Sequence, residues 1–297
     1  MTLLVGFAPG KDDRSGIEFA ATLARSVTPQ EDLLIVSVVP APWPTPVAGN
    51  TDREFVEWAA GRGQAAVTEA EAVLTEYCPA VTARAIWVQG RSIPTTLLEE
   101  AEKIGASTIV VGSGDDGAYG AIHLNSTSDR LLHSSTIPVA IATRGYITRP
   151  TPLSRISCAF RGDEASKRTL TAAAELALKT GVPLRVITFA VRGRTMYPPE
   201  IGLRTEDAVL EKWVEQSKVA QAAAETQLRA DGRAPVEIES VVAVGRSWMS
   251  TVDSVEWNRD EILVVGSSST SVLERIFLGS SATKIVRYSP VPVIAVP

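Results

Sequence analysis

Two stretches of the chain gather the groups that hold anions. After the apolar run Thr108-Ile-Val-Val111 come Gly112 and, further on, Asn125, Ser126 and Thr127. After Ile262-Leu-Val-Val265 come Gly266, Ser267 and Ser269, then Gly279, Ser280 and Ser281. Each stretch reads as a buried strand, a polar loop and a short helix opening at Ser126 or Ser280. The unbonded N–H groups and the dipole at a helix N-terminus favour a phosphate or carboxylate. The neighbouring hydroxyls would add donors. Ser and Asn are also ordinary helix N-caps, so capping explains the same residues equally well.

Other chemistry is harder to read. Gly112-Ser-Gly-Asp-Asp-Gly117 spells the Gly-x-Gly-x-x-Gly pattern, but the helix opens about ten residues later than a dinucleotide fingerprint needs. It is expected to be a flexible loop. His133 falls near the end of a helix, where a histidine favours the dipole without any reactive role. Spacing alone does not join it to Ser126 as base and nucleophile, and no acid pair or metal cluster is legible. With His123 and His133 as the only histidines, a histidine-rich metal site is not available. Cys78 and Cys158 are expected to be reduced thiols. Asn125-Ser-Thr127 fits a glycosylation acceptor and Arg161-Gly-Asp163 an adhesion tripeptide, but nothing around either supports that use. Arg161 is expected to pair with Asp163 or Glu164, a common surface arrangement. In the alternative it serves a ligand phosphate, with Phe160 beside it at the end of a strand. Trp43 is expected either to cover a pocket rim or partner, or to pack on its own loop.

The elements that would position these residues repeat. Gly112, Ser126 and Pro138 return as Gly266, Ser280 and Pro292, each 154 residues later, the mark of an internal duplication. In the first copy, Thr2–Phe7, Leu33–Val39 and Val81–Val88 read as strands one to three. Helices follow from Ile17, over about 52–77, and from Ser92 as cap with Ile93, Leu97, Leu98, Ala101 and Ile104 inward. Pro40 to Pro46 is too proline-rich for a helix or central strand. In the second copy the strands are 155–160, 182–190 and 236–244. Its helices are one stopped by Gly181, one over about 205–230, and one from Ser247 to about Trp257. The segment 192–204, with Pro198-Pro199, is the counterpart of the proline-rich loop. The boundaries expected are a first domain over 1–145, a linker over 146–154 and a second domain over 155–297. Strands alternating with helices give an α/β fold of two tandem, doubly wound parallel sheets with right-handed crossovers.

Bulk properties narrow the function. A chain of 297 residues should hold about two domains. Residues 1–150 carry 11 Lys/Arg against 17 Asp/Glu, and the remainder 18 against 17. Neither half has the basic excess of a nucleic-acid binder. There is no charged start with an apolar h-region and no long apolar span, so a cytoplasmic protein without membrane attachment is expected.

Read together, Val5-Gly6, the Val88-Gln-Gly-Arg-Ser92 and Ala243-Val-Gly-Arg-Ser247 pair, and the two Val-Val-Gly-Ser … Ser … Pro-Val endings resemble the universal stress protein family in its tandem form. The resemblance covers nearly the whole chain, twice. It implies five-stranded sheets in the order 3-2-1-4-5, an adenine-nucleotide alpha-hydrolase-like fold, with any ligand at the carboxyl ends of strands one and four. It also implies a non-enzymatic stress-response module and self-association through the last strands, Ile137–Ala142 and Val291–Val296. Members that bind ATP carry Gly-x-x-Gly, nine residues, then Gly-Ser/Thr, and an Asp after strand one that reads the adenine. Here the first copy offers Gly112, Asp115, Asn125, Ser126 and Thr127, and the second Val265, Gly266, Ser267, Ser269, Gly279, Ser280 and Ser281. Ala8 and Arg161 stand where the Asp belongs, and neither side chain accepts a hydrogen bond. The expectation is weak ATP binding at most, placed in the second copy; the alternative is an ATP-binding member with weak ATPase or nucleotide-sensing activity, carried mainly by that copy.

Overall fold

The computed structural model describes residues 1–10, 14–42, 50–192, 202–266 and 278–297. The chain divides into two units, Met1–Pro152 and Leu153–Pro297.

The first unit runs β1 (Thr2–Gly6), α1 (Ser15–Ser26), β2 (Asp32–Pro40), α2 (Asn50–Tyr77), β3 (Ala83–Gly90), α3 (Ile93–Ile104), β4 (Thr108–Val111), α4 (Ser126–Ser134) and β5 (Val139–Ile141). Its strands pair in the order β3-β2-β1-β4-β5, all parallel. Leu3, Leu4, Val5, Leu33 to Val36 and Ile109 to Val111 are buried, as continuous apolar strands covered on both faces require. Helix α1 turns Ile17, Ala20, Ala21 and Ala24 inward, and α2 packs on β2 and β3.

The second unit runs β6 (Arg155–Ala159), α5 (Glu164–Thr180), β7 (Leu184–Val191), α6 (Gly202–Ala230), β8 (Ile238–Gly245), α7 (Trp248–Asp253), β9 (Glu261–Gly266), α8 (Ser280–Tyr288) and β10 (Val293–Val296). The order β8-β7-β6-β9-β10 is again parallel throughout. Gly181, with φ of 70°, closes α5 in the left-handed region, which glycine enters without the usual Cβ clash.

Several local expectations change. Pro40 is the last residue of β2, opposite Gly90. A proline is tolerated there because it needs no ladder N–H at a strand end. Ile93 is 47% exposed rather than buried, since α3 opens there and burial begins at Thr96 and Leu97. Ser92 holds the cap position of α3 without a side-chain cap bond. Helix α7 stops at Asp253 because the chain turns so that the Trp257 indole N–H donates to the carbonyl of Val252 at 2.9 Å. Trp43 and most of both proline-rich loops lie outside the described residues.

Residues 146–149, read from the sequence as linker, are bound to α1. The Thr148 N–H donates to the buried Glu18 carboxylate at 2.6 Å and the Tyr146 N–H to Ser15 Oγ at 3.0 Å. Arg25 donates to Thr148 Oγ1 and to the Arg149 carbonyl. Tyr146 meets Phe19 edge-on, with ring centroids 5.3 Å apart.

Candidate functional site

In the first unit β1 and β4 are neighbours, with Gly6 beside Val111. The connections leaving their carboxyl ends diverge to opposite faces of the sheet, which opens a crevice there. The crevice is a cavity of about 380 Å³. Phe7, Ile17, Val36, Val38, Val39 and Leu97 give its wall an apolar part, and Gly6 and Gly112 bring bare backbone to it. Ser37 also lines it. That residue is 2% exposed, and among the described residues its side chain makes no hydrogen bond. Arg62, Asp115, Asn125 and Thr127 edge the cavity.

Part of the anion-holding set of this unit is already engaged. Asn125 Oδ1 accepts from the N–H groups of Thr127 at 3.0 Å and Ser128 at 2.9 Å. In return the Asn125 N–H donates to Ser128 Oγ at 2.9 Å, closing a capping box. Two of the N–H groups a phosphate would use are thus occupied. Ser126 is exposed and does not line the cavity. The loop expected to be flexible is pinned. The Gly114 N–H donates to the His123 carbonyl, and His123 N–H to Ser113 Oγ, both at 2.8 Å. Arg144 donates to the Gly117 carbonyl and lies 4.8 Å from the Tyr119 ring centre.

The second unit closes the same place. The cleft between Arg161, Val265, Gly266, Gly279 and Ser281 measures about 60 Å³. Ala159 replaces Gly6 at the strand end. Thr169 of α5 stands where α1 has Gly16, and its Oγ1 lies 1.8 Å from the point a Cβ on Gly266 would occupy. In the first unit the relation is inverted, because a Cβ on Gly16 would meet the Gly112 backbone nitrogen at 3.0 Å. One half packs a helix glycine on the strand end, and the other packs a threonine into a strand glycine.

The end of α8 differs from that of α4. Gly279 is its N-cap and supplies no side-chain bond, so the first N–H groups of α8 keep no capping acceptor from that residue. Arg161 is 60% exposed at the side chain and pairs with Asp163. Asp163 also caps α5, accepting from Ser166 N–H at 2.8 Å. Burial alone would raise the Asp163 pKa, but the bonds from Ser166 and Arg161 outweigh it and hold the carboxyl below its ordinary value. Phe160 is buried, with its N–H donated to the Ile187 carbonyl at 2.8 Å, and does not line the cleft. Ser280 is exposed. Ser267 and Ser269 lie outside the described residues.

The structure therefore brings Gly112 and Thr127 to the first cavity and Arg161, Val265, Gly266, Gly279 and Ser281 to the second cleft. Sequence reasoning missed Ser37, Arg62, Ile93 and Leu97. Only Ser37 left a trace, as the single polar residue inside Leu33–Val39. Cys78 and Cys158 are free and buried. Burial pushes the Cys78 thiol up to about 11 and raises that of Cys158 further. Among the described residues no three His, Cys, Asp or Glu gather as a metal group.

The universal stress protein family model matches residues 1–143 and again 152–297. A universal stress protein of Mycobacterium tuberculosis is 37% identical over 297 residues, the whole of both chains. One from Synechocystis is 22% identical over 189 residues, 63% of this chain and 56% of the relative. A crystal structure of a universal stress protein from Archaeoglobus fulgidus superposes with a TM-score of 0.62 at 20% identity, covering 99% of this chain and 97% of that one. A protein of unknown function from Pseudomonas aeruginosa superposes at 0.56 and 15% identity, covering 99% and 92%.

Proposed function

The chain belongs to the universal stress protein family, and on that premise we propose that it is a non-enzymatic stress-response module that responds to a small molecule held in its first unit. The observation that carries this reading is the cavity of about 380 Å³ at the first switch point, a size and a place typical of ligand sites. Among the described residues that line it no nucleophile is held by a base, the arrangement that covalent chemistry needs. An ATP molecule does not suit the residues present there. Ala8 gives the adenine amino group no acceptor, and Asn125 already occupies the helix end. No described helix is long and apolar enough to cross a membrane.

The test uses the purified full chain, with ATP titrated by calorimetry and phosphate release followed in parallel. A buried donor left unanswered costs about 1–3 kcal/mol, which is roughly one to two decades of affinity. Weak or absent ATP binding with no turnover is expected. Sub-micromolar affinity, or turnover lost on substitution at Arg161 or Asn125, would overturn the reading.

A second reading, adenine nucleotide held by the second unit, is favoured by one observation. The N-terminus of α8 carries no side-chain cap, and Arg161 lines the adjoining cleft. In that case Gly279→Asp, which sets an acid at the helix end, abolishes whatever ATP binding is measured, and Asn125→Asp leaves it unchanged.

A further inference from the structure

We propose that the first-unit cavity selects an uncharged, mainly apolar molecule that offers one hydrogen-bonding group to Ser37, and that it discriminates against anions. This rests on the reading that the first unit holds a small molecule, and it names the chemical class.

The first argument is the wall. Phe7, Ile17, Val36, Val38, Val39 and Leu97 give an apolar surface, which favours any molecule that removes apolar area from water. The second is Ser37. Ser37 is 2% exposed and its hydroxyl has no protein partner among the described residues, yet its oxygen is not sealed off from solvent, so it opens onto the cavity and is available to whatever fills it. A ligand donor or acceptor answers it. The third is the fate of the anion-binding groups. The helix end that would attract a negative charge has two N–H groups bound to Asn125 Oδ1, and Ser113 Oγ accepts from His123 N–H. The fourth is charge at the mouth. Arg62 and Asp115 both edge the cavity and both are exposed. Both charges sit in solvent, which screens them. A negative group drawn into the cavity therefore loses hydration and meets no buried cation among the described lining residues, Arg62 being exposed.

A pair of fluorescent probes isolates the charge. N-phenyl-1-naphthylamine and 8-anilinonaphthalene-1-sulfonate share one aromatic frame and differ by a sulfonate. Both are titrated against the full chain, the Ile93→Trp variant and the Thr127→Phe variant. The two substitutions lie at the cavity edge, at an exposed and a half-buried position, and melting curves confirm that each folds. The expected result is saturable binding of the neutral probe, about ten-fold or more weaker binding of the sulfonate, and loss of neutral-probe binding in both variants. Sulfonate binding as tight as that of the neutral probe, lost in the variants, would overturn the ligand class and leave the pocket standing. Binding of neither probe, or binding untouched in both variants, would overturn the first-unit pocket as well.

Discussion

The two halves share strand order, yet they treat the angle between first helix and fourth strand in opposite ways. In the first, Gly16 and Gly6 keep side chains out of that angle, and a cavity of about 380 Å³ remains beside Gly112. In the second, Thr169 and Ala159 occupy the same places, and the cleft shrinks to about 60 Å³. The helix ends diverge in the reverse sense. Asn125 seals the first, and Gly279 leaves the second without a side-chain cap. The duplication thus separates two properties, room for an apolar body in one half and an uncapped helix end in the other. Fold and site location are shared, whereas ligand character depends on a handful of side chains at the switch point.

The largest difference lies below the site, at the amino ends of the strands. Glu261, fully buried, accepts from Arg185 at 2.5 Å, Arg155 at 2.9 Å and the Asn258 N–H at 3.0 Å, and from Ser157 Oγ. Burial lowers the Arg185 pKa, while Glu261 works against that shift. The first half puts Leu4, Leu34 and Ser107 in the corresponding places. Removing one partner of a buried pair costs about 3–5 kcal/mol. Glu261→Ala should therefore lose about that much in urea unfolding, reported by Trp257, whose ring lies 5.1 Å from the Arg185 guanidinium. Ser107→Ala in the first half should cost far less.

The opposed glycines come next. Gly266→Ala sets a Cβ against Thr169 Oγ1 and should cost about 1–3 kcal/mol, the range for overpacking. Thr169→Ala in the same chain should recover most of it, a coupling visible in a double-mutant cycle. Gly16→Thr should cost a similar amount, but no side-chain truncation rescues it, because the obstacle is the Val111–Gly112 backbone.

The caps give smaller effects. Asn125→Ala should cost about 1 kcal/mol, whereas Gly279→Asn should gain a few tenths. Asp163→Ala should also cost about 1 kcal/mol. Because the folded Asp163 pKa is lowered, its contribution is fully present above the unfolded value near 3.9 and disappears as pH falls through the lower folded value. Melting temperatures of wild type and Asp163→Ala should converge in strong acid. The smallest effect is at the thiols. Cys78 and Cys158 should react with a thiol reagent only after denaturant is added, since both are shut away from solvent and burial raises both thiol pKa values.

Periodicity and punctuation made the architecture legible. Continuous apolar runs such as Leu33–Val39, and stops such as Gly181, depend on local residue types. The 154-residue offset between Gly112 and Gly266 exposed the duplication. The cavity was harder to read, because its wall is assembled from residues distant in sequence. Nothing local to Gly16 or Thr169 announces that each faces a strand end, and Leu97 reads like any core leucine. Arg161 was legible as one half of an ion pair because Asp163 is two residues away. Asn125 was legible as a cap, and its bonds to Thr127 and Ser128 show that it acts as one.

The central claim is that the first half, and not the second, holds an apolar small molecule. Methyl-resolved NMR of the full chain, titrated with N-phenyl-1-naphthylamine, tests it most directly. The account predicts shifts at Ile17, Val36, Val38 and Leu97 with Val265 and Ile285 unmoved. Shifts at Val265 and Ile285 with the first set unmoved would contradict it.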